Sequence, residues 1–406
     1  MRDRKAAKTT DMFTRHWKWI RACSLIAAGL VWMPILNAAP RFSAELIFPL
    51  NPQHNHAPAI VECPNGDLLV SWYRGSGERK ADDVAVYGAR RSRKGGPWSE
   101  AFLMVDTPGF PDGNTAMFID GRERLWLFWP IVLANTWESC ITTYRVASRY
   151  EGKGAPKWDW QGQILLKPPL FAEDVNRALD ERMRTAPLPE WMTNRVAEFR
   201  STLTNKLYQR LGWQPRCKPT VLKSGRIVMP LYTDTFSVSL MALSDDGGET
   251  WFASRALAGF GNIQPAVLQR KDGSLVAYMR ENGPLERIRA SESRDEGVTW
   301  SPVESISLAN PGTGLDAVRL QNGHWCLIHN DTTEGRHSLA VTISEDEGRT
   351  WRWTRRLEHQ PGDKFHYPAI IQARNGTIHA VYSYFVAGGK SMKHAAFDEE
   401  WVKAGH

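Results

Sequence analysis

Cysteine is scarce in this chain of 406 residues, which contains five cysteines. Cys23 lies in the N-terminal segment, and the other four, Cys63, Cys140, Cys217 and Cys326, occur singly without any Cys-x-x-Cys spacing. This scatter argues against a zinc site, and no metal or cofactor is expected. Buried free thiols and disulfides both fit the pattern, so the sequence leaves the two alternatives open.

Several motifs that would announce other functions are also missing. The sequence has no phosphate-binding glycine loop, no Ser-His-Asp nucleophile elbow and no nucleic-acid-binding module. Its net charge of +7 is concentrated in the first 21 residues, which carry seven basic and two acidic side chains. About +2 remains for the rest of the chain, which is too little to predict a nucleic acid partner.

The longest apolar run of the sequence lies in the N-terminal segment. The run from Cys23 to Leu36 follows the basic start, precedes the small residues Asn37-Ala38-Ala39, and is too short to span a bilayer comfortably. This order predicts an export signal over residues 1–39. Pro40 disfavours cleavage directly after Ala39, so an uncleaved membrane anchor remains the alternative. Either reading predicts an exported protein, periplasmic or extracellular, with membrane attachment through this segment only.

What the sequence does contain is a repeat. The pattern Ser-x-Asp-x-Gly-x-Thr-Trp occurs at Ser244–Trp251, Ser293–Trp300 and Ser344–Trp351, about fifty residues apart, with degenerate copies at Ser92–Trp98 and Ser148–Trp158. A strand-rich repeat of this length is typical of a β-propeller blade. The Asp is expected to accept backbone hydrogen bonds across a turn, and the Trp to pack between neighbouring blades. These motifs are therefore interpreted as structural.

A second repeat gives the number of blades. A turn ending in glycine precedes an apolar strand six times, at Asn65-Gly66, Asp120-Gly121, Ser224-Gly225, Asp272-Gly273, Asn322-Gly323 and Asn375-Gly376. Such turns predict β-hairpins, because glycine adopts a positive φ without steric cost. Six hairpins predict an all-β fold over residues 40–406, a six-bladed β-propeller.

An insertion interrupts the repeat between blades 2 and 3. The spacing between Gly121 and Gly225 exceeds the usual period by about one blade length. Residues about 168–215 instead carry apolar residues at helical spacing, namely Val196, Phe199, Leu203 and Leu207. We expect two short helices there, which cover blade edges or form one wall of a pocket.

These repeats resemble the Asp boxes, or BNR repeats, of the sialidase (neuraminidase) superfamily, and the six hairpins resemble its six-bladed propeller. The resemblance covers residues 50–400 apart from the insertion. It implies a glycosidase that binds the substrate carboxylate with three arginines, attacks the anomeric carbon with a Tyr assisted by a Glu, and protonates the leaving group with an Asp. A guanidinium fits a carboxylate in bidentate fashion, and a neutral Tyr can approach an anionic sugar.

Four residues resemble active-site residues of the family. The stretch Phe365-His366-Tyr367-Pro368, just before the last hairpin, resembles the one that holds the family's Tyr, which makes Tyr367 the candidate nucleophile. Arg280 and Arg336 resemble two of the carboxylate-binding arginines. Arg74, at a strand end in the first blade, resembles an additional arginine of the family.

Two positions depart from the family pattern. Where the family has Phe-Arg-Ile-Pro or a close relative, this chain reads Asn55-His56-Ala57-Pro58, so His56 replaces an arginine. Gln264 stands where the family has its Glu, and an amide can orient a hydroxyl group but cannot take its proton. For the acid, the loop after Trp72 offers Asp83 or Asp82, with Glu78 in reserve.

The resemblance implies an exported sialidase-like glycoside hydrolase that acts on a terminal acidic sugar, sialic acid-like or a uronate. One alternative is a polysaccharide lyase, in which Tyr367, His366 and His56 act as base and acid. Another is a carbohydrate-binding propeller without activity, which Gln264 favours. The family resemblance also predicts where these residues lie in the fold. Six side chains should converge at one end of the central channel, with the Asp boxes at the periphery: Arg280, Arg336, Tyr367, His56, Gln264 and Asp83.

Overall fold

The computed structural model describes residues 41–185 and 193–405. The predicted signal or anchor, residues 1–39, lies outside the described residues. Within the described ranges, no helix is long and apolar enough to cross a membrane.

The described strands form six antiparallel sheets, each of them one blade. The chain begins with β1 (Phe42–Leu46), followed by blade I with β2 (His54–Glu62), β3 (Leu68–Gly75), β4 (Ala85–Arg91) and β5 (Phe102–Val105), and by blade II with β6 (Ala116–Ile119), β7 (Leu125–Val132), β8 (Cys140–Ala147) and β9 (Trp160–Gln163). Blade III contains β10 (Gln214–Pro215), β11 (Thr220–Val221), β12 (Ile227–Thr233), β13 (Val238–Ser244) and β14 (Phe252–Ala253), and blade IV contains β15 (Asn262–Gln269), β16 (Leu275–Glu281), β17 (Arg287–Ser293) and β18 (Glu304–Ala309). Blade V contains β19 (Asp316–Arg319), β20 (Trp325–His329), β21 (Ser338–Ser344) and β22 (Trp353–His359), and blade VI contains β23 (Lys364–Gln372), β24 (Ile378–Val386) and β25 (Gly389–Phe397). The predicted six-bladed β-propeller is confirmed.

The first strand closes the ring. β1 pairs antiparallel with β25, from Phe42 opposite Phe397 to Leu46 opposite Lys393, so it becomes the fourth strand of blade VI. Backbone hydrogen bonds in this ladder, rather than a free edge, therefore join the two ends of the propeller.

The core lies between neighbouring blades. The second strand of blade II, β7, is buried along its whole length, and its Trp126 and Phe128 pack against Met229 and Leu240 of blade III. Strands that are buried on both faces read as continuous apolar runs rather than alternating ones. This explains why the strands following each hairpin turn are so uniformly hydrophobic.

The Asp boxes have the predicted structural role. Asp246 accepts hydrogen bonds from the backbone nitrogens of Glu249 and Thr250, both at 3.0 Å, and from the hydroxyl of Ser244 at 2.8 Å. Trp251 packs with its ring centroid 6.2 Å from that of Phe128 in the preceding blade. The box therefore fastens one blade to the next.

One hairpin differs from the prediction. The glycines of five turns adopt a positive φ, but in blade II that conformation is taken by Glu123, with φ of 57°, and not by Gly121. The turn there lies two residues further along the chain than its Asp-Gly sequence suggests.

The insertion contains three helices in the described residues, not the predicted two. They are α1 (Phe171–Thr185), α2 (Thr193–Thr204) and α3 (Lys206–Arg210), and α4 (Glu399–Ala404) follows blade VI. The extra helix begins because the side chain of Asn205 accepts a hydrogen bond from the nitrogen of Leu207 at 2.9 Å, an N-cap that restarts the helical chain. Leu207, expected on the apolar face, is exposed.

The insertion packs against blades II and III. The carboxylate of Asp174 in α1 accepts a hydrogen bond from Nε of Arg255 at 2.6 Å, and Phe171 packs against Trp213 and Phe236. The insertion between blades 2 and 3 is therefore confirmed, and whether its helices cover blade edges or form one wall of a pocket stays a prediction.

The four cysteines of the described residues are free thiols. Cys63, Cys140, Cys217 and Cys326 are all buried and unpaired. Burial raises the pKa of the Cys63 thiol to about 11 and that of Cys217 to about 12, so both are protonated at neutral pH.

Candidate functional site

The site is built on equivalent positions of the six blades. One residue of each blade lies nine positions before the positive-φ residue of its hairpin turn, at the inner strand nearest the propeller axis. We call these residues the inner ring: Ala57, Asn114, Arg216, Gln264, Gly314 and Tyr367. Because the ring is defined by the repeat itself, its members occupy equivalent positions of the six blades although they are far apart in sequence.

Three members of the inner ring sit in β-bulges. Ala57, Gln264 and Tyr367 have φ of 51°, 57° and 54°, and each precedes a proline. The strand register shifts at all three positions. A bulge interrupts the ladder and re-aims a side chain, so the fold turns Gln264 and Tyr367 towards each other at a conformational cost.

Tyr367 is at the centre of the site. Its phenol oxygen accepts hydrogen bonds from Nη1 of Arg280 at 2.8 Å and from Nε2 of Gln264 at 3.1 Å. The guanidinium carbons of Arg216, Arg280 and Arg336 lie 5.2, 6.0 and 5.8 Å from its ring centroid. Three cations therefore surround one phenol.

Arg280 and Arg336 have capacity to bind an anion. Arg280 donates from Nη2 to the side-chain oxygen of Asn282 at 2.9 Å, and Arg336 donates to the carbonyl of Gly312 at 3.5 Å. Neither forms an ion pair with a carboxylate of the described chain. Burial lowers the pKa of Arg336, but a guanidinium remains charged at neutral pH. Two unneutralised guanidiniums side by side suit a carboxylate ligand.

His56 stands beside Tyr367 but carries no charge at neutral pH. Its ring centroid is 4.2 Å from that of Tyr367 and 4.7 Å from that of His366, and Nδ1 lies 2.8 Å from the hydroxyl of Ser383. Burial, followed by the proximity of His366, lowers the pKa of His56 well below its usual value. Burial also lowers the pKa of His366. A neutral ring therefore lies at the position where the family resemblance predicts an arginine.

Gln264 bridges two phenols. Its Nε2 donates to Tyr367 and also to the phenol oxygen of Tyr232 at 3.2 Å. Its Oε1 is buried and has no hydrogen-bond partner among the described residues. A Cβ on Gly314 would lie 2.9 Å from that oxygen, so the absence of a side chain there gives Gln264 its space.

The loop after β3 holds the three candidate acids. Asp83 accepts hydrogen bonds from the nitrogen and the hydroxyl of Ser76, the latter at 2.8 Å, and Asp82 accepts one from Asn135 at 2.8 Å. Both aspartates are exposed, and no contact within the described chain joins either of them to Tyr367. The roles proposed for them stay predictions.

Glu78 is more closely tied to the pocket than the aspartates. It accepts a hydrogen bond from the phenol of Tyr73 at 3.1 Å and lies 3.2 Å from Nε2 of His54. The hydrogen bond with His54 lowers the pKa of Glu78. The ring of Tyr73 is in turn 5.6 Å from that of His56, which links this carboxylate to the inner pocket.

Arg74 lies elsewhere in blade I. Its guanidinium stacks over Tyr87 at 4.7 Å and Phe48 at 5.0 Å, and Nε donates to Asn55 at 2.9 Å. The structure therefore brings Tyr367, Arg280, Arg336, His56 and Gln264 together as expected. It does not bring Arg74, Asp82 or Asp83 into contact with them.

Sequence reasoning missed several polar residues of the pocket. Arg216 and Asn114 belong to the inner ring, and Nδ2 of Asn114 donates to Tyr232 at 3.0 Å. Asp234, next to β12, accepts a hydrogen bond from Gln214 at 3.1 Å, and its pKa is raised by burial although Arg280 opposes this. The nine-residue spacing before Gly225 indicates Arg216, but the same spacing before Gly121 leads to Asp112, because the blade II turn has its positive φ at Glu123.

Comparison with known proteins agrees with the fold. A BNR repeat-like domain matches residues 211–380. The chain is 25% identical over 191 residues to an anhydrosialidase of Macrobdella decora, covering 42% of this chain and 25% of that protein. It is 28% identical over 178 residues to a sialidase of Bacteroides fragilis, covering 41% and 32%. The matches thus span only a quarter to a third of these relatives.

Solved structures match over most of the chain. A leech intramolecular trans-sialidase superposes with a TM-score of 0.66 at 13% identity, covering 89% of this chain and 71% of that one. An intramolecular trans-sialidase of Ruminococcus gnavus gives 0.63 at 12%, covering 86% and 95%. A Dyadobacter fermentans protein of unknown function gives 0.64 at 15%, covering 87% and 97%. Together with the Asp boxes and the six blades, these matches show a six-bladed β-propeller fold similar to that of the sialidases.

Proposed function

We propose that this propeller is a glycoside hydrolase that releases a terminal acidic sugar. Arg280 and Arg336 bind the sugar carboxylate, and Tyr367 faces the anomeric carbon. The observation that carries this proposal is the hydrogen bond between Arg280 and the phenol oxygen of Tyr367. It supports the proposal because the guanidinium that would bind the carboxylate and the phenol that would attack the anomeric carbon lie within one hydrogen bond of each other.

The proposed reaction has two steps. The Tyr367 oxygen bonds to the anomeric carbon while the glycosidic bond breaks and a carboxyl group protonates the leaving oxygen. Water then attacks the anomeric carbon and releases Tyr367, and the carboxylate takes the proton of that water. Since Gln264 cannot accept the phenolic proton, this proton passes to water, and the guanidinium of Arg280 stabilises the negative charge left on the oxygen.

We place the acid on the loop after β3. The family resemblance assigns the role of the acid to Asp83 or Asp82. Glu78 is the third candidate, and its bonds to Tyr73 and His54 favour it on contacts. Substitution of each by its amide, one at a time, identifies the acid as the one whose loss most reduces turnover of a substrate with a poor leaving group.

The charge of the pocket bears on the substrate. A neutral His56 leaves two arginines for the carboxylate, Arg280 and Arg336, where the family has three. This supports an acidic sugar other than the common sialic acid glycosides, with a uronate as the first class to test. We further propose, from residues 1–39, that the protein is exported and meets its glycan outside the cytoplasm.

A lyase is the second candidate, and one observation favours it. The neutral rings of His56 and His366 lie next to Tyr367, so the pocket holds groups that could remove a proton beside a neutralised carboxylate. Such a reaction breaks the glycosidic bond by elimination and leaves an unsaturated sugar that absorbs ultraviolet light.

The test is a turnover assay of the full chain on umbelliferyl glycosides of N-acetylneuraminate and glucuronate and on uronate-containing polysaccharides. A hydrolase releases the saturated sugar, and Tyr367→Phe abolishes the release. An ultraviolet-absorbing product would replace this proposal by the lyase. Binding without any product, unchanged in Tyr367→Phe, would establish a carbohydrate-binding propeller instead.

A further inference from the structure

We propose that Arg216 is a positioning residue for Tyr367 and supplies, from the opposite blade, the positive charge that blade I lacks at His56. Its effect on turnover rests on the proposed function, whereas its effect on the position of Tyr367 does not. Arg216 belongs to blade III and Tyr367 to blade VI, which face each other across a ring of six blades.

Arg216 ties together two of the bulges that shape the pocket. It is 2% exposed, and it donates from Nη2 to the carbonyl of Pro368 at 2.7 Å and from Nη1 to that of Pro58 at 3.4 Å. These prolines directly follow the bulged residues Tyr367 and Ala57. One side chain from blade III thus holds the backbone of blades I and VI where they aim His56 and Tyr367 into the pocket.

The inner ring leaves room for this reach. Ala57 and Gly314 occupy the ring positions on either side of Tyr367 and are its two smallest members. A Cβ on Gly314 would lie 3.7 Å from Nε of Arg216 and 3.7 Å from Cγ of Tyr367. Gly314 therefore lies beside both side chains, and the guanidinium of Arg216 lies over the phenol ring of Tyr367.

The charge of Arg216 has no counterion of its own. Its donors bind backbone carbonyls, and its Nε is buried without a partner among the described residues. Asp316, an acid of the neighbouring inner strand, is paired with Lys218 at 2.8 Å. A buried guanidinium without an ion pair costs stability. That cost is offset if negative charge develops on Tyr367, whose ring centroid is 5.2 Å from the guanidinium.

Because Arg216 is buried, it does not touch the substrate. Its loss should therefore act on kcat and not on KM. Removing one preorganised group that stabilises a developing anion lowers kcat about 100-fold or more. We expect such a loss for Arg216→Met, with KM changing by less than about threefold, whereas Arg336→Met raises KM.

The experiment compares Arg216→Met and Arg216→Lys with Arg90→Met in kinetics and in crystal structures. Arg90 is a matched control, since it is 7% exposed and also binds backbone carbonyls, of Gly154 at 2.8 Å and of Tyr150, outside the site. Support would be a loss of kcat in Arg216→Met, a smaller loss in Arg216→Lys, and a Tyr367 oxygen displaced from Arg280 in Arg216→Met.

Two results would overturn the proposal: unchanged kcat and Tyr367 position in Arg216→Met, or a rise in KM equal to that of Arg336→Met. If the wild-type chain has no turnover, the proposed function fails and the crystal structures alone decide this inference. If Arg216→Met does not fold, Arg216→Lys decides it by its kcat and its Tyr367 position.

Discussion

Arg280 donates a hydrogen bond of 2.8 Å to the phenol oxygen of Tyr367, and this bond joins blades IV and VI at the centre of the propeller. The same guanidinium has its second amino group on Asn282. Arg280 is thus fixed in a position where it can stabilise charge on the phenol and also contact a ligand.

Arg336→Met should weaken binding of an acidic sugar by about 10-fold to 100-fold, the cost of one charge-assisted hydrogen bond to a carboxylate. Isothermal titration with D-glucuronate and N-acetylneuraminate measures it. Arg74→Met is the matched control, because Arg74 stacks on aromatic rings outside the pocket. Equal losses in both variants would contradict the assignment of Arg336 to the carboxylate.

Gln264→Glu should raise the rate of glycoside hydrolysis. The new carboxylate would lie where Nε2 now bonds to the phenol of Tyr367 at 3.1 Å, and could accept its proton. General base catalysis typically increases a rate about 100-fold or more. We expect Gln264→Glu to increase the rate of hydrolysis by at least about 10-fold. Gln264→Leu, which cannot accept a proton, serves as control. A rate that falls equally in both variants would show that the phenol needs no base.

Gly314→Ala should impair the site although alanine is a small residue. Its Cβ would lie 2.9 Å from Oε1 of Gln264, closer than side chains tolerate, so Gln264 must move away from Tyr367. We expect a kcat loss of about 10-fold from this misplacement. At Gly121 an added Cβ meets nothing within 4 Å and φ is not positive, so Gly121→Ala should keep wild-type kcat. Full activity of Gly314→Ala would refute the proposed packing.

Acid should destabilise the propeller through a histidine pair in blade VI. Nδ1 of His379 lies 3.0 Å from Nε2 of His394, and burial lowers their pKa values to about 4 and about 3. In the unfolded chain a histidine has a pKa near 6.5. Below that pH the unfolded state therefore binds protons that the folded state does not bind, because its pKa values are lower. The full free energy of unfolding is therefore retained above about pH 6.5 and decreases as the pH falls towards 4. For His379 the decrease at pH 5 is up to about 2 kcal/mol.

The measurement is Tm between pH 7.5 and pH 5. His379→Gln should show a smaller decline than the wild-type chain, while His359→Gln, at an exposed position, should follow the wild type. Identical slopes in all three proteins would exclude the histidine pair as the cause.

The propeller could be predicted because its signals are local and repeated. Glycine turns and Asp-box tryptophans recur in successive blades, and each acts within a few residues of its own position. The third insertion helix escaped prediction because it depends on one capping side chain, Asn205, after an unremarkable Thr204. The position of the blade II turn was not predicted, because Glu123 adopts a positive φ that sequence preference assigns to glycine.

The site could be predicted in part. Tyr367, Arg280 and Arg336 stand at strand positions where the family resemblance applies, and the structure brings them together. Arg216 escaped notice because its contacts lie across the propeller, on blades I and VI, and nothing in its own segment indicates them. Asp83 and Asp82 could not be judged from sequence, because Ser76 and Asn135 decide where their carboxylates point.

A crystal structure of the full chain soaked with D-glucuronate or N-acetylneuraminate tests the proposed function most directly. The proposed function predicts a sugar carboxylate within hydrogen-bond distance of both Arg280 and Arg336, with the anomeric carbon facing the phenol oxygen of Tyr367. A sugar acid bound away from these arginines, or bound with its anomeric carbon turned away from Tyr367, would contradict it.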